Sequence, residues 1–252
     1  MKLFIMSDIH SYYFSMMQAL EKNGFDIDNP DHHVIICGDL FDRGPDAIKC
    51  FEFAKTMAEK GRLTYVCGNH EELLFDCVNQ IGRGAVDNHH ISNGTFDTIV
   101  QFVGGNYYDL LYGFDTSNWY DKVRPLLDFI TENVVDYAVV GDYVFVHGWV
   151  PCTAEVLAEN WDTPEANWEG SRWVNGMLAW SRGIRPEGKT VVCGHWHCSW
   201  GWSHLRLERK EFPNKSKENW RESFEPFVDE GIIAIDACTA YTGFCNCVVL
   251  EV

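Results

Sequence analysis

One recurrence constrains this chain more than any other: short apolar runs that end, mostly beside a glycine, on an Asp, Asn or His. Residues 2–6 lead into Asp8-Ile9-His10, and residues 34–37 into Gly38-Asp39. Residues 63–67 lead into Gly68-Asn69-His70-Glu71, 143–146 into His147-Gly148, and 190–193 into Gly194-His195. Apolar runs of this length, bounded by turn formers, read as buried strands. Six oxygen or imidazole donors therefore stand at five strand ends: Asp8, His10, Asp39, Asn69, His147 and His195. Helical stretches at 12–22, about 45–60 and 71–80 separate the first three runs. This β-α-β-α-β-α order predicts a parallel sheet covered on both sides, which binds ligands at the carboxyl ends of its strands.

The middle of the chain is less regular. Val123, Leu126, Leu127 and Ile130 form one stripe of a helix over 119–133. Residues 134–140 and 143–146 read as strands joined by a Gly141-Asp142 turn, and further strands are expected at 190–193, 231–235 and 246–252. The Gly-, Asn- and His-rich stretch 82–94 reads as a loop. No repeat or low-complexity linker breaks the 252 residues. The expectation is a single domain, with a Trp-rich insertion at about 149–182 and a polar excursion at about 203–228. Nine of the ten tryptophans lie between 149 and 220. They read either as packing over a sheet or as an aromatic wall beside the strand-end cluster.

A formal charge of −17 disfavours nucleic acid or an anionic membrane as partner. It leaves a small anionic substrate open, because the nearest charges dominate a site. No apolar stretch reaches the roughly 20 residues that span a bilayer. A signal peptide is not expected, since its cleavage would remove Asp8 and His10. The ten cysteines show no Cys-x-x-Cys spacing, and Cys37, Cys67 and Cys193 stand at core positions of apolar runs. Reduced thiols and a cytoplasmic location are expected.

The chemistry of the donors is specific. Asp8 and His10, two apart at a strand end, share a side. Mixed carboxylate and imidazole donors suit manganese, iron, zinc, nickel or cobalt better than calcium. Asn69 adds a neutral carbonyl oxygen, which limits the negative charge facing an incoming anion. His70 directly follows Asn69 and belongs beside the metals rather than on them. Oriented by Asp42, its imidazole is placed to protonate a leaving alkoxide as general acid. Each residue alone also fits as a cap, turn former or core histidine; together they point to two divalent ions and phosphate-ester hydrolysis.

Asp8-x-His10, Gly38-Asp39-x-x-Asp42-Arg43-Gly44, Gly68-Asn69-His70-Glu71, His147-Gly148 and Gly194-His195 fall in one order along the chain. In these residues the chain resembles the phosphoprotein phosphatase branch of the calcineurin-like metallophosphoesterases, notably the short bacterial and phage serine/threonine protein phosphatases. The tail from Ile235-Asp236-Ala237 to Phe244 is similar to the family's closing segment. The resemblance implies an α/β fold, a four-layer α-β-β-α sandwich with two mixed sheets. It implies two divalent metals, manganese first: Asp8, His10 and Asp39 on one, and Asp39 as bridge with Asn69, His147 and His195 on the other. Attack on phosphorus by a water or hydroxide between the metals is implied too, with His70 and Asp42 as acid pair and Arg43 on the phosphate. A second phosphate arginine is expected at Arg182, with Arg172 and Arg185 as substitutes. Tyr241 matches a tyrosine that some members place near the site.

The chain departs from the pattern where Ser11 replaces the glycine after Asp-x-His. Gly194-His195-Trp196-His197 also resembles the Gly-His-x-His of the wider superfamily, which makes His197 a further candidate ligand. The substrate implied is a phosphoserine or phosphothreonine protein. A dinucleoside polyphosphate hydrolase shares nearly all these motifs, and a non-catalytic binding module with the same fold is the reading from a different class. Oligomeric state is not legible.

Overall fold

The structure is a computed structural model and describes residues 1–106, 109–110 and 118–252. The apolar runs assemble into two five-stranded sheets. In the first, β1 (Lys2–Met6), β2 (His32–Cys37), β3 (Leu63–Val66) and β4 (Val134–Val135) run parallel in sequence order. The last strand, β10 (Val248–Glu251), lies antiparallel beside β1. In the second sheet β6 (Tyr143–Phe145), β7 (Thr190–Cys193) and β9 (Ile232–Ala234) are parallel. Its edges, β5 (Ala138–Val140) and β8 (Phe227–Asp229), are antiparallel.

Side-chain alternation sets the layers. Phe4, Met6, Val34 and Ile36 pack outward on helices α1 (Tyr13–Lys22), α2 (Ala47–Glu59), α3 (Asn69–Gly82), α5 (Thr95–Val103) and α6 (Trp119–Asn133). Leu3, Ile5, Ile35 and Cys37 pack inward against Phe145, Val192 and Ile233 of the second sheet. That sheet's outer face, with Val144, Val191 and Ile232, is covered by the 149–184 region and by residues 196–205. Strands buried on both faces need apolar residues at every position, which is why these runs lack polar alternation. The fold is the four-layer α/β sandwich with two mixed sheets.

Two local expectations are corrected. Residues 134–140 are not one strand: β4 pairs with β3 in the first sheet and β5 with β6 in the second, so the chain changes sheets at Asp136-Tyr137. Both halves are β-formers, and only their partners separate them. The 82–94 stretch contains a short helix, α4 (Asn88–Ser92), ended at Gly94 in the left-handed region (φ 75°).

Tryptophan in the 149–220 region is mostly packing. Trp149 and Trp168 are buried in the outer core of the second sheet, and Trp161, Trp180, Trp196, Trp200 and Trp202 pack around them. Among the described residues Trp173 is the one exposed tryptophan, at 48%.

Candidate metal centre

The turns that carry the donors hold them in an unusual backbone state. Asp8 (φ 51°), His10 (51°), Ser11 (60°), Asp39 (55°), Asp42 (75°), Arg43 (63°) and His195 (64°) all lie in the left-handed region. Non-glycine residues seldom go there, and such strain collects at functional sites. Backbone bonds sustain it: the Asp8, His10 and Ser11 amides donate to the carbonyls of Gly38, Asp39 and Leu40. Glu71 adds a second tie. Its buried carboxylate accepts from the Asp39 (2.9 Å), Leu40 (3.0 Å) and Gly68 (2.8 Å) amides and from the Tyr65 hydroxyl (2.5 Å). A Cβ at Gly68 would fall on Asp39 Oδ1, and one at Gly194 on Asp8 Oδ2, so these loops close only with glycine.

His10, Asp39, His147 and His195 converge, with His70 among them. His10, Asp39 and His70 bring one donor atom each within 4.8 Å of one another, and so do Asp39, His147 and His195. Asp8 lines the same cavity but stands outside both groups. Asp39 belongs to both groups. Its Oδ1 is 3.3 Å from His147 Nε2 and its Oδ2 is 3.8 Å from His10 Nε2, so the two oxygens face different clusters. Asn69 Oδ1 is 2.9 Å from His147 Nε2. Asp8 Oδ2 accepts from the Ser7 hydroxyl (2.5 Å) and the His195 amide (2.9 Å).

The imidazoles have the second contacts that metal ligands require. His10 Nδ1 donates to Phe41 O (3.0 Å) and His147 Nδ1 to Cys37 O (2.8 Å), while the Trp173 backbone accepts from His195. Binding one ring nitrogen to a backbone carbonyl fixes the tautomer and leaves the other lone pair for an ion. His70 is different. Its Nδ1 donates to the Asp42 carboxylate (2.7 Å), which also accepts from Thr95 (2.7 Å) and Thr98 (2.8 Å) on α5. Arg43 crosses the cluster, Nη1 donating to His10 Nε2 (2.8 Å) and Nη2 to His70 Nε2 (3.1 Å). A cation thus already answers these lone pairs. The donor set fits a metal site, with two groups that share Asp39.

Charge and burial compete here. Burial acts to raise the Asp39 carboxyl, but His147, His70 and His10 hold it well below its ordinary value. Burial acts to lower His147, yet Asp39 and Asp8 push it up to about 10. His195 falls to about 3, through burial and the neighbouring His147. His70 is raised, Asp39 and Asp42 outweighing its burial. Asp236, at the end of β9, is pushed well up by burial and by Asp8.

A cavity of about 110 Å³ opens over the cluster, lined by Asp8, His10, Asp39, Arg43, Asn69 and His70, with His195, His89, Asn93 and Trp173 at its sides. Four expected residues are absent from its lining: Asp42 and His147, which bind His70 and Asp39 from behind, and Arg182 and His197, which lie elsewhere. Arg182 caps the helix Gly176–Ser181 and reaches the Ala154 carbonyl (3.4 Å). Its substitutes are also engaged elsewhere, Arg172 with Glu72 and Asp136 and Arg185 with Glu230. His197 turns to Ser199 (2.9 Å) and Glu211 (3.5 Å) and packs at a tilt against Phe212. It starts a helix (Cys198–His204) that carries it outward, so it stands outside both donor groups. Tyr241 packs on Phe212 and Phe224. Sequence pattern did not single out Thr95, Thr98, His89 or Asn93, and gave Glu71 no role, although an acid three residues after Gly68 was a signal. Of the tryptophans read as packing or as an aromatic wall, Trp173 alone lines the cavity.

The sequence profile described as calcineurin-like phosphoesterase matches residues 1–199. The chain belongs to that family. Curated relatives of this calcineurin-like phosphoesterase include the asymmetrical bis(5'-nucleosyl)-tetraphosphatase PrpE of Bacillus subtilis (strain 168), 40% identical over 77 residues. That match covers 28% of this chain and 32% of PrpE. Serine/threonine-protein phosphatase 1 of Salmonella typhimurium is 32% identical over 75 residues, 29% of this chain and 32% of that protein. The chain thus spans about a third of the length of the curated relatives it matches. The fold is shared with a cold-active protein-tyrosine phosphatase of a psychrophilic Shewanella species. That likeness has TM-score 0.55 and 15% identity, over 99% of this chain and 75% of the other. No described helix is long and apolar enough to cross a membrane.

Proposed function

We propose that this calcineurin-like phosphoesterase is a dinuclear metal-dependent phosphatase with His70 as its general acid. The observation that supports it best is Asp39, whose two carboxylate oxygens face separate donor groups, one of which includes His70 with its Asp42 partner. Asp8, His10 and Asp39 would hold one ion; Asp39, Asn69, His147 and His195 would hold the other. When bound, such ions activate water and neutralise charge on a phosphoryl group; manganese is the first choice.

The protein groups supply the rest. Arg43 brings a fork of N–H donors to the cavity, the geometry that suits phosphate oxygens. Asp42 accepts from His70 Nδ1 and favours the doubly protonated imidazole. Once Arg43 turns from Nε2 to the phosphate, Nε2 is therefore the atom that gives a proton to the leaving oxygen. Thr95 and Thr98 hold Asp42 in turn.

The motif set favours phosphoserine and phosphothreonine proteins as substrate. The exposed indole of Trp173 beside the cavity favours a second reading, dinucleoside polyphosphates. The test is kcat/KM on phosphoserine, phosphothreonine and phosphotyrosine peptides beside diadenosine tetraphosphate, with manganese. A hundredfold preference for the dinucleotide assigns the second reading. No turnover of any substrate, or of p-nitrophenyl phosphate, sinks both and leaves a binding module. His70→Asn should lower kcat by about 10²–10⁴ with metals still bound.

A further inference from the structure

Trp173 is out of keeping with the rest of its region. Among the described residues every other tryptophan is buried or packed against neighbours, whereas Trp173 is 48% exposed. Leaving an indole in water forfeits much of the 150–250 Å² such a side chain can bury. Its ring stands edge-to-face on His195, centroids 5.8 Å apart at 87°, and it lines the cavity. It is also firmly seated. The neighbouring Arg172 is ion-paired to Glu72 on α3 and to Asp136 at the sheet crossing, and the Trp173 backbone binds the His195 imidazole.

The cavity's size gives this position its meaning. At about 110 Å³ it is well below the roughly 300–1,000 Å³ of pockets that enclose whole ligands. It takes in the phosphate end of a substrate, and the remainder must lie across the rim. The rim has two unlike sides. On one, His89 and Asn93 belong to the α4 segment, whose Gly94 is pressed against the Arg43 backbone. On the other, beside His195, stands the indole. That indole is the one large apolar side chain among the residues that line the cavity.

We propose that the Trp173 indole is a stacking platform for a planar aromatic group carried by the substrate close to its scissile phosphate. This rests on the phosphoesterase reading above and sharpens its substrate class. The chemistry is shared by a nucleobase and by an aryl ester such as phosphotyrosine; a serine or threonine phosphate lacks it. Stacking is tolerant of ring identity because every such ring has a π-face, so the platform selects for aromaticity and leaves the edge to His89 and Asn93.

The test uses the manganese-loaded full chain, with Trp173→Ala and Trp173→Phe beside wild type. Each is assayed on diadenosine tetraphosphate, a phosphotyrosine peptide and a phosphoserine peptide, and metal content is measured on the same samples. Truncating the side chain keeps the backbone that binds His195, so metal content should hold at the wild-type value. The expected result is a fall of about tenfold to hundredfold in the ratio of aromatic to phosphoserine kcat/KM for the alanine variant, carried by KM. Trp173→Phe should restore most of it. The dinucleotide and phosphotyrosine arms show which source the platform serves. An unchanged ratio, or a uniform loss on all substrates, overturns the platform while leaving the hydrolase reading intact. A wild type that turns over none of the three overturns both.

Discussion

Glu71 offers the sharpest test of how the fold holds the centre. It is 1% exposed, and its two oxygens accept four donors and offer none. Glu71→Gln keeps the shape but replaces one oxygen with an NH₂ donor. Placed at the Oε2 position, that NH₂ would face the Asp39 and Gly68 amides, neither of which can accept. At the Oε1 position it would face the Leu40 amide and the Tyr65 hydroxyl, and the hydroxyl can reverse to accept. The second arrangement is the better one, and it strands one buried amide, that of Leu40.

Losing a hydrogen bond to a charged acceptor costs about 1.5–3 kcal/mol. Weakening of the two bonds left on the neutral carbonyl brings the total to about 3 kcal/mol. At about 2–4 °C per kcal/mol for a chain this long, Tm should fall by about 6–12 °C. Tyr65→Phe removes a single donor and leaves three in place, so it should cost about 1 kcal/mol and correspondingly less in Tm. Thermal unfolding followed by circular dichroism in chelator keeps metal binding from masking the difference. A Glu71→Gln protein melting within about 2 °C of wild type would refute this account of the strand-end loops. Because Glu71 ties the loop of Asp39 to that of Asn69, kcat should also fall, by about 10²-fold for a displacement near 1 Å.

Four other outcomes follow from the same geometry. Asp42→Asn should lower kcat by about 10²–10⁴ while metal content stays at wild type; loss of metal instead would make Asp42 a ligand support rather than an acid's partner. His197→Gln should keep the full metal content, and loss of one equivalent by elemental analysis would restore His197 as a ligand. Ser11→Gly should stabilise: Ser11 sits at φ 60° with its buried hydroxyl unpartnered. Relief of strain and of the stranded hydroxyl outweighs glycine's entropy by about 1 kcal/mol, a rise of about 2–4 °C; an unchanged or lower Tm contradicts it. The last concerns protons. With His147 held up to about 10, its contribution to metal-free stability is full below about pH 6.5 and is lost as pH rises through about 10. Metal must displace that proton, so apparent affinity should rise about tenfold per pH unit between pH 6.5 and 9, with one proton released in calorimetry across buffers.

Much of the centre was legible in the sequence because its residues follow directly on strands. An apolar run fixes where a strand ends, and parallel neighbours bring those ends together, so Asp8, Asp39 and Asn69 form one set by spacing and His147 with His195 another. That the two sets meet was decided by the packing of one sheet on the other. The switch of sheets inside 134–140 was not legible, since Val134, Val135 and Ala138–Val140 are equally good β-formers in either sheet. Nor were Thr95 and Thr98, which act through a contact with Asp42 more than fifty residues away. His197 shows the reverse: its motif pointed inward, but the helix that begins there carries it toward Glu211.

The sequence by itself determined the chemical inventory: which donors exist, that they stand at strand ends, and that their types suit a metal site. Those facts are local, written in residue type and in the period of the apolar runs. Tertiary structure alone decided which side chains share a volume. It placed Glu71 under two loops, sent Arg182 and His197 away, and left one indole of ten in water at the rim of the cavity. Burial and orientation depend on what packs from distant parts of the chain, and no local pattern encodes that.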